Sequence, residues 1–581
     1  MATETTKKAP DWWKEMAVYQ IWPRSFADGN GDGIGDLHGV LQKLDYIKAL
    51  GVDAIWFSPL YPSPNADYGY DIADYKNISQ DYGTLALFRQ VLDEAHKRGL
   101  QVIMDLVINH TSDQHEWFQT SIVMPKSKYH DYYFWRPAKK SRLQPQCGRR
   151  PNNWLSVFEG KAWEWNEKLQ EYYLHVFAKG QPDLNMANPQ VREEVKSIMH
   201  FWLQMGVDGF REDVITYIAK KEGLPNGFPL PIGTGLEHYT SQPAVKDYLR
   251  EFKEVLDEYG AFTVGEAPMM TPRLAKEYVT DEAGNLLNMM FHFQHMEADC
   301  LLTDWIGTPF RLKKLKTAFS TWQREMRGEA WNALYLENHD HPRIVDRYGS
   351  REYRVESAKM LAAAYILQQG TPFIYQGQEI GMTNIALESL DDYKDVVTFN
   401  NQKLFAKFGF SKERFLRLAH RRSRENARTP VQWTAGPNAG FCPDDVKPWF
   451  SVNPNANEIN VAAAEADPDS VLHFYRGLLR FRKENPVVRH GTYREFYKNS
   501  RRIYVYERCH EGQKLLVVCS FVAKPVQFNA PLGYDLLRAA QVFGNYEGGP
   551  RGNAFALRPY ECRVYLQTCA PHNHSLPNVA I

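Results

Sequence analysis

The chain has 581 residues, too many for one hydrophobic core, so at least two domains are expected. Apolar residues make up 44% of it and charged residues 24%, as in an ordinary soluble globular protein. Lys plus Arg and Asp plus Glu both number 69, and this balance gives no electrostatic reason to expect a nucleic-acid or anionic membrane partner.

The seven cysteines are scattered, with no CxxC pair and no zinc-site spacing. This usage favours a reduced, cytoplasmic protein over a disulfide scaffold. The start, MATETTKKAPDWWKE, lacks the apolar segment of a secretory signal, and no run of 18 apolar residues could span a membrane. We expect a monomer or weak homodimer with no membrane partner.

Short apolar segments alternate with longer amphipathic ones along most of the chain. Eight segments have strand character: MAVYQIWPRSF, VDAIWFSPLY, QVIMDLVINH, VDGFREDV, FTVGEAP, NMMFHF, WNALYLENHD and TPFIYQGQE. Repeated strand–helix units predict an α/β fold, and eight of them favour a closed (β/α)8 TIM barrel. A doubly wound open sheet is the alternative.

Two gaps between these units are too long for ordinary loops. The first, rich in Trp, Tyr, Pro and Asn, predicts an inserted domain at residues 111–182, after the third strand. The second, at about 381–468, follows the eighth strand. We therefore assign residues 1–110 and 183–490 to the barrel. Short alternating segments such as RRIYVYER and KLLVVCSFV predict a C-terminal antiparallel β-sandwich at residues 491–581.

Carboxylates recur where the predicted strands end, which is where a (β/α)8 barrel collects its functional residues. One such carboxylate usually caps the next helix, but several converging ends are hard to explain by structure alone. Carboxylate pairs without a metal or cofactor motif suggest glycoside hydrolysis. The strand-end residues are Asp67, Tyr70, Asp105, His110, Arg211, Asp213, Glu266, His339 and Asp340.

The motifs DLVINH, GFREDV, VGEA and ENHD together resemble the four short sequence regions of the α-amylase superfamily, and the resemblance extends over nearly the whole chain. Two longer matches, QPDLN and NARTPVQW, resemble the oligo-1,6-glucosidase and α-glucosidase branch. The resemblance implies a retaining exo-α-glucosidase that needs no cofactor for catalysis and acts on short α-glucoside oligosaccharides.

The resemblance also implies residue roles. Asp213 matches the nucleophile that forms a covalent β-glucosyl intermediate, Glu266 the general acid/base, and Asp340 the third carboxylate, which grips the sugar. Arg211 lies two residues before Asp213, on the same strand face, and would keep Asp213 ionised and oriented. Glu266 would need a raised pKa to arrive protonated.

The remaining roles concern binding of the sugar in the −1 subsite. The resemblance implies that His110 and His339 donate hydrogen bonds to hydroxyls of this sugar and that Tyr70 stacks on it. Asp67 and Arg428 would form a salt-bridged clamp that closes the pocket and makes the enzyme exo-acting.

The residue after the nucleophile, Val214, bears on linkage. In related enzymes Val at this position accompanies α-1,6 cleavage and Thr accompanies α-1,4 cleavage. Isomaltose and panose are therefore the expected substrates. A broader α-1,4/α-1,6-glucosidase, a sucrose hydrolase and a trehalose-6-phosphate hydrolase remain alternatives. The RLDRD stretch of sucrose isomerases is absent, since HMEADCLLTDWIG stands in its place.

A metal site is predicted in DGNGDGIGD. Oxygen ligands from Asp28, Asn30, Asp32 and Asp36, with the Ile34 carbonyl, resemble the first nine positions of a calcium loop, although the twelfth-position Glu is missing. The resemblance implies one structural Ca²⁺ or Mg²⁺. A Gly/Asp turn without an ion is the alternative.

A second function class is a non-catalytic partner of amino-acid transporters, which shares the superfamily fold. Such proteins lack part of the carboxylate set and carry a transmembrane segment, neither of which applies to this sequence.

One charge in GFREDV is left unexplained. Strand alternation sends Glu212 towards the helix layer, away from Asp213. A buried carboxylate needs a partner, so we predict a Lys, Arg, His or hydroxyl donor within hydrogen-bond reach of it.

Overall fold

The structure, a computed structural model, describes residues 11–140, 148–158, 160–280, 284–301, 303–549 and 552–568. The outer ends of the predicted domains, residues 1–10 and 569–581, lie outside the described residues, as do Cys147 and Cys569. The five other cysteines are free thiols. Among the described segments, no helix is both long and apolar enough to cross a membrane.

Eight parallel strands form the centre of the molecule, one in each predicted segment. They are β1 Val18–Ile21, β2 Ala54–Phe57, β3 Gln101–Leu106, β4 Gly209–Glu212, β5 Phe262–Glu266, β6 Met289–Phe291, β7 Ala333–Leu334 and β8 Thr371–Tyr375. The sheet runs in the order β7-β8-β1-β2-β3-β4-β5-β6. A parallel bridge between Met290 and Asn332 joins its two edges, so the sheet is a barrel and the open-sheet alternative is wrong.

A helix follows each strand on the outside of the barrel. These are α1 Leu37–Leu50, α2 Leu85–Lys97, α3 Pro189–Met205, α4 Ala244–Tyr259, α5 Pro272–Val279, α6 Leu312–Glu325, α7 Arg354–Ile366 and α8 Val471–Glu484. In α1, Val40, Leu44 and Ile47 are fully buried, as their helical spacing predicts. Asp36 caps its first turn, and Gly51, at φ 98°, ends it.

The first long insertion, between β3 and α3, carries a three-stranded antiparallel sheet with its own apolar cluster, which includes Trp154 and Trp163. Its elements are the strands Trp135–Pro137, Trp163–Asn166 and Glu171–Leu174, the helix Glu116–Val123 and the 3-10 turn His130–Tyr132. The second insertion, between β8 and α8, is helical. It contains the helices Val396–Lys407, Lys412–Arg422 and Val461–Ala466 and the 3-10 turns Gln378–Ile380, Leu390–Asp392, Arg424–Asn426, Pro437–Gly440 and Pro454–Asn457.

The chain ends in a five-stranded and a two-stranded antiparallel sheet, as the alternating pattern predicts. On one face Tyr504 and Tyr506 pack into the barrel cluster, and on the other Val505 packs under the smaller sheet. The strands are Thr492–Phe496, Ile503–His510, Gln513–Ser520, Ala540–Gly544 and Cys562–Thr568 in the larger sheet, and Val526–Asn529 and Ala554–Leu557 in the smaller.

The remaining elements are short. They are the helices Trp12–Glu15, Ile344–Tyr348 and Pro486–His490, the hairpin strands Cys300–Leu301 and Thr303–Gly307, and the 3-10 turns Pro23–Ser25, Ile215–Tyr217, Leu236–His238 and Met296–Asp299.

One buried arginine on α8 forms hydrogen bonds to the turn that leads from α7 into β8. Arg482 is 2% exposed. Its Nη1 donates to the carbonyls of Ile366 and Gln368, at 2.8 and 2.7 Å, and its Nη2 donates to the carbonyl of Gly370. These carbonyls lie at the C-terminal end of α7 and in the turn after it, where no helical partner remains. The side chain therefore satisfies groups that would otherwise be buried without donors.

We predict that Arg482→Met lowers the free energy of unfolding by about 3 kcal/mol, because buried carbonyls lose a charged donor. Urea denaturation followed by tryptophan fluorescence measures the change. Arg480→Met, on the exposed face of the same helix, is the control and should change it by less than about 0.5 kcal/mol. Equal effects of the two substitutions would contradict the role of Arg482.

Candidate active site

The carboxyl ends of the barrel strands open into a cavity of about 1010 Å³. Of the ten residues predicted to catalyse or bind, seven line it: Asp67, Tyr70, His110, Asp213, Val214, Glu266 and Asp340. The other three, Arg211, His339 and Arg428, are fully buried behind this first layer. The structure therefore brings the predicted residues together, with the three carboxylates predicted to be catalytic at the surface of the cavity.

Arg211 is the centre of the buried charge network. Its Nη1 donates to Asp105, at 2.6 Å, and to Asp213, at 2.8 Å. Its Nη2 donates to Glu266. The parallel pairing of β3 and β4 places Asp105 directly opposite Arg211, and β5 is the next strand along. One guanidinium thus orients the predicted nucleophile and the predicted general acid/base together.

The side chains of Asp213 and Glu266 are both bound by the Arg211 guanidinium and lie beside each other. Burial raises the pKa of Asp213 well above its usual range; Arg211 opposes this shift, while the facing carboxylates of Glu266 and Asp105 add to it. The expectation that Arg211 alone keeps Asp213 ionised is therefore incomplete. Three carboxylates around one cation favour retention of a proton in the cluster.

Val214 is held in an unusual conformation directly after Asp213. Its φ is 34°, in the left-handed region that β-branched residues rarely occupy. The turn directs its backbone N–H towards Glu266, at 3.3 Å. Strain of this kind persists only where the surroundings enforce it, and it clusters at functional sites.

Asp340 also lines the cavity and lies among cationic and hydrogen-bonding groups. Burial opposes its ionisation, yet His339, Arg424 and Arg428 together hold its pKa well below the usual range. Arg424 and Arg428 reach its Oδ1 at 2.9 and 3.1 Å. Asp340 is therefore an anion ready to accept hydrogen bonds from a ligand.

His339 is neutral and fixed in one tautomer. Burial lowers its pKa to about 4, although Asp340 favours the protonated form. The amide of Gln20 donates to Nδ1, at 2.8 Å, which leaves the proton on Nε2, 2.9 Å from Asp340. Tyr70 and Trp22 both stack on the ring. His339 thus has an N–H directed at the third carboxylate.

The predicted clamp between Asp67 and Arg428 is wrong. Asp67 pairs with Arg424, at 2.7 Å, and Arg428 pairs with Asp340 and donates from Nε to the His339 carbonyl. Arg424 also binds Asp395 through two nitrogens. Arg424 projects into the cavity while Arg428 is packed over Trp22, at 4.4 Å, so only Arg424 reaches across to Asp67.

His110 and Tyr70 form the wall beside Asp67. Burial lowers the pKa of His110 to about 3, so its ring is neutral. Its Nε2 lies 3.1 Å from both the Tyr70 carbonyl and the Gln181 amide, so this nitrogen already has protein partners. The Tyr70 hydroxyl donates to Asp105, at 3.0 Å. The stacking of the Tyr70 ring on a sugar stays a prediction.

Sequence reasoning missed two parts of this network. Arg424 and Asp395 lie in the second insertion, outside every matched motif, and no local pattern marks them. Gln181 lies within the QPDLN match and donates to Asp67, at 3.1 Å, so a signal for it was present.

Burial raises the pKa of Asp67 to about 6 even with Arg424 in contact.

The loop predicted to hold a metal ion fits that role only in part. Asp28 accepts from the amides of Gly31 and Gly33, at 2.6 and 2.8 Å. Asp36 is 1% exposed and accepts from three backbone amides while capping α1. Asp32 is exposed and accepts from the Ile34 amide. Within the described ranges, no three Asp, Glu, His or Cys side chains are grouped to hold a metal ion.

Of the donor types predicted for Glu212, the structure shows a hydroxyl. Thr263, on the neighbouring strand β5, donates to Oε1 at 2.5 Å, which confirms the prediction. Oε2 has no hydrogen-bond partner, and Glu212 is 1% exposed. Burial raises the pKa of Glu212 to about 7, and the Thr263 hydroxyl limits the shift.

The raised pKa of Glu212 predicts a pH-dependent stability. The folded value of about 7 exceeds the ordinary 4.5, so the folded protein loses stability as pH rises through this interval and carries the full penalty above it. Glu212→Gln removes the titration. We expect its melting temperature, relative to the wild type, to be higher at pH 8 than at pH 5, by an amount equivalent to about 2–3 kcal/mol.

Differential scanning fluorimetry at the two pH values measures this shift. Thr263→Val is the control, because it removes the hydroxyl but keeps the titrating group, and it should preserve or increase the loss of stability at high pH. An offset between Glu212→Gln and wild type that does not change with pH would contradict the prediction.

Comparison with known proteins identifies the family of the chain. A family model of the α-amylase catalytic domain matches residues 20–491, and one of the maltogenic amylase C-terminal domain matches residues 493–564. The chain is 46% identical to an oligo-1,6-glucosidase of Halalkalibacterium halodurans, over 96% of this chain and 99% of the relative. It is 42% identical to a trehalose-6-phosphate hydrolase of Bacillus subtilis, over 97% and 99%.

A solved structure extends the likeness to the fold. The trehalose-6-phosphate hydrolase of Bacillus licheniformis superposes with a TM-score of 0.89 at 41% identity, over 96% of this chain and all of that one. Sequence, fold and the buried carboxylate site agree, and the chain belongs to the α-amylase family of glycoside hydrolases.

Proposed function

We propose that the protein is a retaining exo-α-glucosidase that releases terminal non-reducing α-1,6-linked glucose from short oligosaccharides such as isomaltose and panose. The observation that carries the proposal is Arg211 holding Asp213 and Glu266 together at the surface of a deep cavity. The near full-length similarity to an oligo-1,6-glucosidase supports the α-1,6 preference.

The first chemical step forms a glucosyl-enzyme. A carboxylate oxygen of Asp213 attacks the anomeric carbon while Glu266 gives its proton to the departing glycosidic oxygen. Arg211 contacts both side chains and stabilises the negative charge that appears on Glu266. Asp340 accepts hydrogen bonds from sugar hydroxyls, and its depressed pKa keeps it available as an anion.

The second step releases glucose. Water attacks the same carbon, the bond to Asp213 breaks, and Glu266 takes the proton from the water. Two inversions return the α configuration, and no cofactor is needed. Arg211 contacts Asp213 through Nη1 and Glu266 through Nη2, and this adjacency supports the short carboxyl separation of a retaining enzyme.

The exo character follows from the closed end of the cavity. Arg424 links Asp67, Asp340 and Asp395, which lie on three separate loops. This network stands where a chain extending past the terminal glucose would have to pass. One sugar unit therefore fits beyond the scissile bond on this side, with its hydroxyls facing the charged groups.

We predict that purified enzyme cleaves isomaltose with a kcat/KM at least about tenfold above that for maltose, since Val214 offers no hydroxyl to the +1 sugar. Sucrose and trehalose 6-phosphate complete the panel and test the alternative activities. A tenfold preference for maltose would refute the α-1,6 assignment. Asp213→Ala should abolish turnover of every substrate, and Val214→Thr should move the ratio towards maltose.

We predict that Asp67 and Arg424 act as a unit in binding the terminal glucose. Loss of this ion pair leaves the remaining buried charge less well compensated, so Arg424→Lys or Asp67→Asn should lower kcat/KM for isomaltose about 100-fold. In a double-mutant cycle, the two substitutions together should cost much less than their sum. Circular dichroism checks folding of each variant.

Arg428 supplies the matched comparison, because it lacks a contact with Asp67. The cycle between Asp67→Asn and Arg428→Lys should be close to additive. Strong coupling between Asp67 and Arg428, with none between Asp67 and Arg424, would instead support the Asp67–Arg428 clamp expected from sequence.

We further propose a structural Ca²⁺ or Mg²⁺ at Asp28, Asn30 and Asp32, with the Ile34 carbonyl, because these hard oxygen donors suit either cation. Either cation at millimolar concentration should raise the melting temperature above that in EDTA, and Asp32→Ala should remove the increase. No cation effect on the wild type would refute the site.

We also propose a cytoplasmic location, which buried free thiols such as Cys519 and Cys562 support. For the oligomeric state we propose a monomer or weak homodimer.

A further inference from the structure

Two arginines are buried close to each other where the C-terminal domain packs against the barrel. Arg482 belongs to α8, and Arg508 belongs to the strand Ile503–His510. Arg482 is 2% exposed and Arg508 is 0% exposed. Arginine is almost never buried to this extent unless its charge is paired, so the partners of both side chains need to be accounted for.

Strand alternation directs Arg508 into the barrel side of the interface. It lies on the same face of its strand as Tyr504 and Tyr506, which pack into the barrel cluster. Tyr493 and Leu515 stand opposite it on the two neighbouring strands, and both belong to that cluster as well. The guanidinium is therefore surrounded by buried, largely apolar side chains.

Both guanidinium groups converge on the turn between α7 and β8. Arg508 donates from Nη1 to Oε1 of Gln323, at 3.1 Å. The Gln323 side chain in turn accepts from the N–H of Gln369, at 3.1 Å, and donates to its carbonyl, at 2.7 Å. Arg482 donates to the carbonyls on either side of Gln369. The two cations thus bracket a single residue.

The hydrogen-bond acceptors of both arginines are neutral, since they are backbone carbonyls and one side-chain amide. Among the residues that the structure describes, no carboxylate pairs with either guanidinium. Burial lowers the pKa of Arg482 to about 9, with Arg508 adding to the shift, and burial lowers that of Arg508 to about 10. Both side chains are therefore cations at neutral pH.

The nearby tyrosines do not supply the missing negative charge. Burial raises the pKa of Tyr504 and of Tyr506 well above the usual range, so both hydroxyls are neutral. The region therefore carries two buried positive charges that the described side chains leave uncompensated, which is costly in a medium of low dielectric constant.

Arg508 also has one free hydrogen-bonding edge. Within the described part of the chain, its Nε and Nη2 have no hydrogen-bond partner. These two nitrogens lie on the same edge of the planar guanidinium, and their N–H groups form the fork that binds anions through two parallel hydrogen bonds. Nε of Arg482 lacks a partner too. A water molecule could accept from this edge, but it would leave both charges uncompensated.

We propose that the Nε–Nη2 edge of Arg508, with the charge of Arg482 close by, binds a small monovalent anion such as chloride between the barrel and the C-terminal domain. A monovalent anion matches the single free fork, and a halide-sized one suits a position that is closed to solvent. The site is structural, and it is independent of the α-glucosidase function proposed above.

Diffraction from wild-type crystals grown with bromide in place of chloride tests the position directly. We expect an anomalous bromine peak within hydrogen-bonding distance of Nε and Nη2 of Arg508. A water molecule at this edge, no density there, or bromide confined to the protein surface would overturn the proposal. This experiment needs no variant to fold.

Thermal unfolding tests the energetic role. Chloride replaces gluconate at constant ionic strength, and differential scanning fluorimetry follows the melting temperature. Because the anion binds only the folded state, the melting temperature should rise by at least about 1 °C for each tenfold increase in chloride above the dissociation constant. Arg508→Met should abolish this rise. In gluconate alone the variant should be at least as stable as the wild type, because an uncompensated buried cation has been removed.

A matched control changes an exposed arginine of the neighbouring strand. Arg494, in the strand Thr492–Phe496, is exposed, and Arg494→Met should keep the full response to chloride. Equal responses of the wild type and both variants would show a general salt effect and overturn the proposal, as would a wild type that does not respond to chloride.

Discussion

The whole site depends on one buried guanidinium. Arg211 is 1% exposed and contacts three carboxylates, Asp105, Asp213 and Glu266, which come from three adjacent barrel strands. Desolvation of a single unpaired charge in such a place would be prohibitive, and three anions without the cation would repel one another. The cation makes the cluster stable, and the excess of carboxylates makes it reactive, because their charges are only partly compensated. Stability and chemistry therefore have the same source.

A second cationic network also borders the cavity, and it has the opposite effect on the pKa of its central carboxylate. Arg424 and Arg428 hold Asp340, Asp67 and Asp395, and here the cations lower the pKa of Asp340 while that of Asp213 is raised. Tyr70 connects the two networks, since its hydroxyl donates to Asp105 and its ring stacks on His339. The cavity thus has one side with a retained proton and one side that stays anionic, a division suited to acid catalysis beside hydroxyl binding.

Most of the barrel and its strand-end residues could be predicted from the sequence, because strand alternation and strand–helix repetition are local signals. Glu212 shows how far local reasoning reaches. Its outward direction followed from its neighbours, and its partner was predicted only as a Lys, Arg, His or hydroxyl donor. Its identity as Thr263 required the pairing of β4 with β5, in which Gly265 stands opposite Glu212 and Thr263, two residues earlier, lies on the same face.

The clamp partner of Asp67 shows where local reasoning ends. Arg424 and Arg428 are four residues apart, and both contact Asp340. Only Arg424 reaches Asp67, 357 positions away in the chain. The choice between two arginines of the same chemistry is made by the path of the second insertion, which no motif encodes.

The segment from Arg211 to Val214 brings these points together. Arg211 orients Glu266 with its side chain, and Val214 directs a backbone N–H to the same carboxylate. The second contact requires Val214 to adopt φ 34°, which a β-branched residue accepts only at a cost of about 1–3 kcal/mol. Strands β4 and β5, joined through Arg211 and through the Thr263–Glu212 hydrogen bond, are rigid enough to enforce that turn. The buried Glu212 is therefore part of the support that holds Asp213, the proposed nucleophile, and its strained neighbour in place.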